Sequence, residues 1–400
     1  MLLFLFLLLI PTQLGRHFWP EWSYVLGIRV DYLSPTFYLL DLIWIGILVK
    51  SLSSYKVFQV KKLLNFKTLL ILGFVGINVL IAVNPMLAVY KWLRLGQLLL
   101  TFFYFRKNKD LVKNNLIKII PVWIVFESLL ALAQMAKNGS LNGIFYWFGE
   151  RGFTFNTIGI AQMSVMGRGL IRSYGTFSHP NSLAGFLLVS LLLWYFFKEK
   201  TKSLCWWIIF WFGFLGIMVS GSRTIWMLTI GLILGLAFLK LKNKTNLVGL
   251  VLLFLGMLVF VLKIVNMEYN ISDFLGGWDT DGIEKRINLN IAGLKMIKES
   301  PWFGVGLGNF LVRLPEFQKN NGIYWLQPVH NIFILIWSQI GTLGLFLLFL
   351  WLKEKFNWKK INFIFKIIVG VIILSGMMDH YWLTLPQNVW LLVLVLSLSS

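Results

Sequence analysis

Long apolar runs recur along the chain, separated by short polar segments that carry lysine. Most are long enough for the roughly 20-residue crossing of a bilayer core. The pattern predicts spans at about 36–50, 66–84, 86–105, 117–136, 181–197, 203–221, 223–240, 245–265, 329–351, 360–379 and 383–398. The apolar start, Met1 to Leu14, lacks a basic n-region and a small-residue cleavage site, so it predicts a short or truncated first span, not a removed signal peptide. A transmembrane barrel would instead show alternating segments of about 10 residues. The expected fold is therefore an all-α polytopic membrane protein of about twelve helices. Two polar interruptions are long, Lys137 to Pro180 and about Val265 to Val329. They divide the chain into 1–136 (N-terminal helices), 137–180 (first long loop), 181–265 (central helices), 266–329 (second long loop with an amphipathic helix) and 330–400 (C-terminal helices).

Composition supports the same class. Hydrophobic residues make up 58% and charged residues 13%, against roughly 45–50% and about 25% in a soluble domain. The net charge of +21 is spread over short loops and forms no single basic face, which argues against nucleic acid. A single cysteine, Cys205, excludes an intrachain disulfide framework and a cysteine-based metal site.

Charge also orients the chain. With the N-terminus cytoplasmic, the inner loops carry Lys50, Lys56, Lys61 and Lys62; Arg106, Lys107, Lys109 and Lys113; Lys198, Lys200 and Lys202; Lys240, Lys242 and Lys244; and Lys353, Lys355, Lys359 and Lys360. Every inner loop is then basic, as the positive-inside rule requires. Both termini are expected inside and both long loops outside. Of ten arginines, only Arg106 falls in an inner loop; Arg16, Arg29, Arg94, Arg151, Arg168, Arg172, Arg223, Arg286 and Arg313 lie outside or near outer span ends. Arginine carries a rigid fork of donors that matches phosphate or carboxylate bidentately. The split points to anion binding at the outer face.

Four places carry candidate chemistry. Arg172 and His179 precede a span that Asn181 or Ser182 is expected to cap, and free N–H groups at a helix start favour an anion. Arg223 lies between two spans joined by almost no loop, where a cation at a helix N-terminus is electrostatically poor unless an anion joins it. Ile283, Ile287, Ile291 and Leu294 recur at helical spacing beside Arg286, Asn290, Lys295 and Lys298, which predicts an interfacial helix with a basic flank. Pro301 ends it, and Gly304, Gly306 and Gly308 predict a flexible turn that packs Trp302 and Phe303 on the membrane. His330 follows Pro328 at the opening of a span, a place suited to a neutral histidine acting as a general base on a hydroxyl. Asp279 and Asp281 form an Asp-x-Asp and are expected to be a turn, not a metal site. Asp41 and Glu127 lie within spans, where acids are functional candidates. Asp379 and His380 sit at an outer span end and could orient His330 or a substrate.

These motifs share an order. Arg172-Ser-Tyr-Gly-Thr-Phe-Ser-His-Pro-Asn-Ser-Leu-Ala, then Ser220-Gly-Ser-Arg-Thr, then Arg286 with Pro301-Trp-Phe-Gly-Val-Gly-Leu-Gly-Asn-Phe, then Val329-His-Asn-Ile-Phe, resemble the O-antigen ligase/Wzy-polymerase superfamily over about residues 165–345. The resemblance implies a GT-C-like, inverting glycosyltransferase of the bacterial inner membrane that needs no metal and no cofactor. Its donor would be a glycan on undecaprenyl diphosphate at the outer leaflet. Its acceptor would be a hydroxyl of a growing glycan, of lipid A core or of a protein. Arg172, Arg223 and Arg286 would bind the diphosphate, and His330 would activate the acceptor. His179, Asn181, Asn331, Arg151 and Arg168 flank these positions as possible supports. The alternative is a proton-coupled transporter or flippase of lipid-linked oligosaccharide, which would depend on Asp41 and Glu127.

Overall fold

The computed structural model describes residues 1–53, 66–165, 168–198, 204–240, 280–318 and 325–399. The expected span over 245–265, together with Gly167 and Asp279, lies outside them, as do the side chains of Arg168 and Asp281. The described chain is mostly helical: α1 Leu2–Leu8, α2 Leu39–Ser53, α3 Phe66–Leu80, α4 Pro85–Lys107, α5 Lys109–Lys137, α6 Pro180–Lys198, α7 Leu204–Val219, α8 Arg223–Lys240, α9 Thr280–Glu299, α10 Phe310–Phe317, α11 Ile332–Lys355, α12 Phe363–Gly376, α13 Tyr381–Thr384 and α14 Pro386–Leu398. Three antiparallel strand pairs accompany them: Gly15–His17 with Thr36–Tyr38, Tyr24–Val25 with Ile28–Arg29, and Gln162–Val165 with Arg168–Ile171. None of the three was expected. Leu26 and Gly27 both take positive φ, the geometry of a two-residue hairpin turn, and close the inner pair.

Among the described residues, three helices are long and apolar enough to cross a bilayer: Lys109–Lys137, Pro180–Phe197 and Ile332–Lys355. Phe66–Leu80, Leu204–Val219, Phe363–Gly376 and Pro386–Leu398 are apolar but shorter. Where a helix is shorter than its apolar run, as at 66–84 and 360–379, the rest of the run forms turns and bends. At 1.5 Å per residue, 15 residues of helix reach only about 22 Å. Helix α4 is long but carries Lys91 and Arg94 in its first half.

The chain forms two compact units. One comprises Met1–Ile10, Gly15–Leu116 and Asp279–Ser400; the other comprises Pro11–Leu14 and Ile117–Trp278.

In the first unit, α4 opens by local rules. Asn84 caps it by accepting from the Leu87 amide (3.1 Å), Pro85 occupies the first position, and Arg106 and Lys107 face the C-terminal end of the dipole. Phe6 of α1 is fully buried, edge-on to Phe105 of α4 and Trp390 of α14. A separate apolar cluster joins Val25, Val30 and Leu33 of the N-terminal loop to Leu87, to Leu289, Ala292 and Met296 of α9, and to Val305, Phe310, Val329 and Leu335. Helix α9 therefore buries a face that the 283/287/291/294 row does not define. Ile287, Ile291 and Leu294 of that row are exposed, beside exposed Lys295 and Lys298. The helix has two apolar faces, one packed in the protein and one open.

The glycine-rich stretch is not a flexible turn. Gly304, Gly306 and Gly308 all take positive φ, and Gly341 (φ 62°, ψ −174°) breaks α11 in mid-course. The two irregularities fit each other. Backbone groups freed by the break are taken up by the loop: Val305 N–H donates to Ser338 O (2.8 Å), Thr342 N–H to Pro301 O (2.8 Å) and Leu343 N–H to Trp302 O (3.0 Å). A β-carbon on Gly304 would stand 2.4 Å from the Gln339 carbonyl carbon, and one on Gly341 2.4 Å from that of Trp302. Asn78 of α3 pins the joint, donating to the Phe303 (2.8 Å) and Gln339 (3.0 Å) carbonyls and accepting from Leu307 N–H and Trp92 Nε1–H (both 2.9 Å).

In the second unit, α6 packs on α7 and α8, and Trp123 of α5 packs its ring against Phe186 of α6 at 5.4 Å. Two side chains, Glu150 and Gln134, hold parts of the loop from Lys137 to Pro180. Glu150 accepts from the Leu141 (2.8 Å) and Asn142 (2.7 Å) amides and from Gln134 Nε2 (2.8 Å). Gln134 in turn holds the residues after Arg172, as described below.

Candidate active site

The candidate residues fall into two groups, one in each unit. In the first unit they converge on the turn after α12. This helix ends at Gly376, where an added β-carbon would meet Ile332 Cδ1 at 2.4 Å, so the turn lies close against the start of α11. Trp382 Nε1–H donates to Ser375 Oγ (2.8 Å) and pins the next turn. Asp379 Oδ1 accepts from its neighbour, the His380 amide (2.7 Å). Its carboxylate also faces His330, whose Nδ1 lies 3.5 Å from Asp379 Oδ1. The His330 ring packs against that of His380, centroid to centroid 5.0 Å. His330 is half-buried, while Asp379 and His380 are buried.

His330 stands one residue earlier than a helix-opening position. Asn331 is the cap of α11, its side chain accepting from the Phe333 (2.9 Å) and Ile334 (3.2 Å) amides. That duty explains Asn331 without a direct chemical role. With Nδ1 turned to a carboxylate, His330 keeps Nε2 as its other reactive nitrogen. A 3.5 Å separation is longer than a formed hydrogen bond, and such pairs commonly tighten when substrate binds. On the other ring, His380 Nδ1 meets Thr384 Oγ1 at 2.7 Å. The Thr384 hydroxyl donates to the His380 carbonyl (3.1 Å), so the network assigns the proton between them to His380 Nδ1. Arg286 reaches the same turn, donating from Nη1 to the Met378 carbonyl (3.3 Å). The structure thus gathers Arg286, His330, Asp379 and His380, residues that come from three stretches of sequence. His330, Asp379 and His380 also offer ligand atoms within 4.8 Å of one another, a spacing open to a metal ion.

The second unit holds the remaining group. One face of α5 reads the backbone after Arg172. Gln134 Oε1 accepts from the Tyr174 (3.0 Å) and Gly175 (2.8 Å) amides, and Gln134 Nε2 donates to the Gly175 carbonyl (2.9 Å). One turn back, the Ala131 carbonyl accepts from Ser173 Oγ (2.7 Å). A further turn back, Glu127 accepts from the Thr176 amide (3.0 Å) and hydroxyl (2.8 Å). Positions 127, 131 and 134 share a face by helical spacing. Gly175 (φ 57°) is required here, because a β-carbon would meet Glu127 Oε2 at 2.4 Å.

So held, Arg172 donates from Nε to the Ser220 carbonyl (2.9 Å) and from Nη2 to Asn181 Oδ1. Asn181 and Ser182 are not the cap of α6. His179 is: the Asn181 amide donates to His179 Nδ1 (3.2 Å), and the Ser182 and Leu183 amides donate to its carbonyl. Pro180 follows at the first helical position, which leaves the Asn181 side chain for Arg172. Arg223 opens α8 and is exposed; among the described residues it has neither a hydrogen bond nor an ion pair. Arg151 is exposed on the long loop.

Other candidates are accounted for locally. Arg94 forms a bidentate pair with Asp41 (2.5 and 2.9 Å), and Gln97 Nε2 and the Tyr38 amide complete the carboxylate's partners. Arg313 pairs with Glu299 and Glu316 (both 2.7 Å). Arg29 stacks over Trp19 at 4.5 Å. Gln134, Glu150 and Asn78 are structural keys that motif reading passed over. Asn78 and Gln134 are polar residues inside apolar helical runs, a signal by which they could have been found; Glu150 lies in the polar loop and has no such signal.

No curated protein sequence matches the chain. A family model does, over a stretch that contains Arg223, Arg286, the glycine-rich joint and His330 and leaves out Arg172 and Asp379. Residues 208–349 match the family described as O-antigen ligase, and that match supports the O-antigen ligase/Wzy superfamily for this chain.

Proposed function

We propose that the protein is a membrane glycosyltransferase that moves a glycan from undecaprenyl diphosphate to an acceptor hydroxyl, with inversion and without a metal. The family match suggests glycan transfer in a membrane; the donor, the outer face of the inner membrane and the residue roles are this reading's own. The observation that carries it is the His330 Nδ1–Asp379 Oδ1 approach of 3.5 Å. His330 Nε2 takes the acceptor proton, the oxygen attacks the anomeric carbon, and the bond to the diphosphate breaks. Asp379 holds the ring and stabilises the imidazolium that forms. Arg172, Arg223 and Arg286 are assigned to the diphosphate, where fixed positive charge gains strength as the leaving group charges. Ligase and polymerase share this donor chemistry and differ in acceptor: lipid A core, a protein hydroxyl or a growing chain.

The transporter alternative loses support from the acids it needs. Asp41 is neutralised by Arg94, and Glu127 is spent on Thr176.

The test supplies purified protein with undecaprenyl-diphosphate oligosaccharide and candidate acceptors, and sizes the products. His330→Ala is expected to abolish transfer at unchanged protein level. Asp379→Asn is expected to lower kcat by up to about 10⁴, the loss seen when a histidine's orienting carboxylate is replaced by an amide. Full activity in His330→Ala would overturn the base assignment. Because His330, Asp379 and His380 have ligand spacing, transfer is also measured after chelation. Retained activity is expected; loss restored by one divalent cation would replace the base mechanism with a metal one.

A further inference from the structure

Lys91 is an ammonium inside a helix expected to span the membrane, and nothing so far accounts for it. It lies six residues into α4, so about 9 Å from the helix start. Its neighbours are members of the apolar cluster beneath the His330 turn: Leu87, Tyr32 and Tyr90. Gly308 crosses its stem so closely that a β-carbon there would meet Lys91 Cγ at 2.6 Å. One turn further along, Arg94 sits in similar surroundings and has Asp41 as counterion. Lys91 has none: among the described residues no carboxylate pairs with it, and its one hydrogen-bond acceptor is the Tyr32 carbonyl, at 2.8 Å. An ammonium has three donors. Two remain for something else, and a charge placed there without a partner is costly unless a ligand supplies one.

The position is next to the candidate site. The residue whose carbonyl takes the ammonium, Tyr32, sets its ring edge-on against His380 at 5.5 Å. His380 in turn packs on His330. The N-terminal end of α4 is tied to the glycine-rich joint, the Asn84 amide donating to Asn309 Oδ1 (2.8 Å) and Asn309 Nδ2 to the Asn84 carbonyl (3.2 Å). The ammonium is thus fixed on a built wall that connects to His330 through Tyr32 and His380. It does not hang from a mobile loop.

We propose that Lys91 binds a phosphate oxygen of the lipid-linked donor and contributes the counter-charge at the His330 side. The proposal rests on the glycan-transfer reading for the identity of the ligand. A lipid diphosphate and a bulk anionic phospholipid present the same chemistry, and the experiment separates them.

The full-length protein is placed in phosphatidylcholine nanodiscs, which carry no anionic lipid. Binding of undecaprenyl diphosphate and the steady-state kinetics of transfer are measured for wild type, Lys91→Met, Lys91→Gln and Lys91→Arg. Glutamine keeps a donor for the Tyr32 carbonyl and removes the charge, so it covers the case in which methionine unfolds the wall. The neutral variants are expected to weaken undecaprenyl diphosphate binding and raise donor KM by about ten- to a hundredfold, the loss of one charge-assisted hydrogen bond. Saturating kcat should move little, and arginine should restore most of the binding. Equal binding by wild type and Lys91→Gln overturns the proposal, as does an arginine variant no better than glutamine. Phosphatidylglycerol vesicles competing as well as undecaprenyl diphosphate would overturn the assignment to the donor. Lys91-dependent binding without any transfer by wild type would keep this site and overturn the glycan-transfer reading instead.

Discussion

Arg94 and Arg223 carry the same charge and meet opposite surroundings. Arg94 is paired bidentately with Asp41, and Gln97 closes the network. Arg223 is exposed with no partner among the described residues. The arginines therefore divide into those held by partners in the fold, such as Arg94 and Arg313, and Arg223, which has none among the described residues. The division was not legible in sequence, because pairing depends on which loop returns to which helix. Arg223→Lys keeps charge and loses the fork; transfer is expected to fall at least about tenfold, measured at fixed donor concentration. A lysine variant as active as wild type would reduce the site to simple charge. Asp41→Asn leaves Arg94 half-buried and unpaired, and is expected to cost about 3–5 kcal/mol, read as a lowered midpoint of thermal unfolding in detergent. A variant of normal stability that stops glycan movement would favour the proton-coupled reading.

Among elements, the interlock of residues 301–309 with the break in α11 was the least readable. A Gly-x-Gly-x-Gly run looks like looseness on paper. Here each glycine is demanded by a positive φ or by backbone contact, and the stretch is hydrogen-bonded to the 338–343 backbone. Its partner is the 338–343 backbone, and nothing in an apolar helical run announces that Gly341 will not be helical. Gly341→Ala is expected to destabilise by about 3 kcal/mol or more, since it combines a disfavoured φ with overlap on the Trp302 backbone. Thermal unfolding of the purified variant checks this; a loss under about 1 kcal/mol would mean the interlock relaxes freely. The stretches around His330, Arg172 and α9 were visible as local patterns, although the cap expected at Asn181 or Ser182 falls to His179. Asp379 was visible as a candidate without a partner, since only the turn after α12 brings it to His330.

At the scale of the whole molecule, apolar patterning gave the class of fold and charge gave an orientation. Helix lengths followed less well, because hydropathy does not register where an apolar run leaves helical geometry. Orientation is open to direct measurement. With Cys205→Ser as background, single cysteines at Ile158 and Leu26 are expected to react with an impermeant maleimide from outside intact cells. One at Asn357 is expected to react only after permeabilisation. All three native positions are exposed, so reversed labelling would invert the proposed topology. The joint around Asn78 carries a last consequence, for biosynthesis. Its side chain bonds to Phe303, 225 residues later in the chain, and to Gln339, 261 residues later. At about 5–20 residues per second, roughly 10–45 s pass between synthesis of the amide and of the first of these two carbonyls. During that time α3 has been made and its buried amide has only Trp92 to bond. Insertion of this protein therefore includes a waiting state, in which water or the insertion machinery must satisfy Asn78 until the later half of the chain arrives.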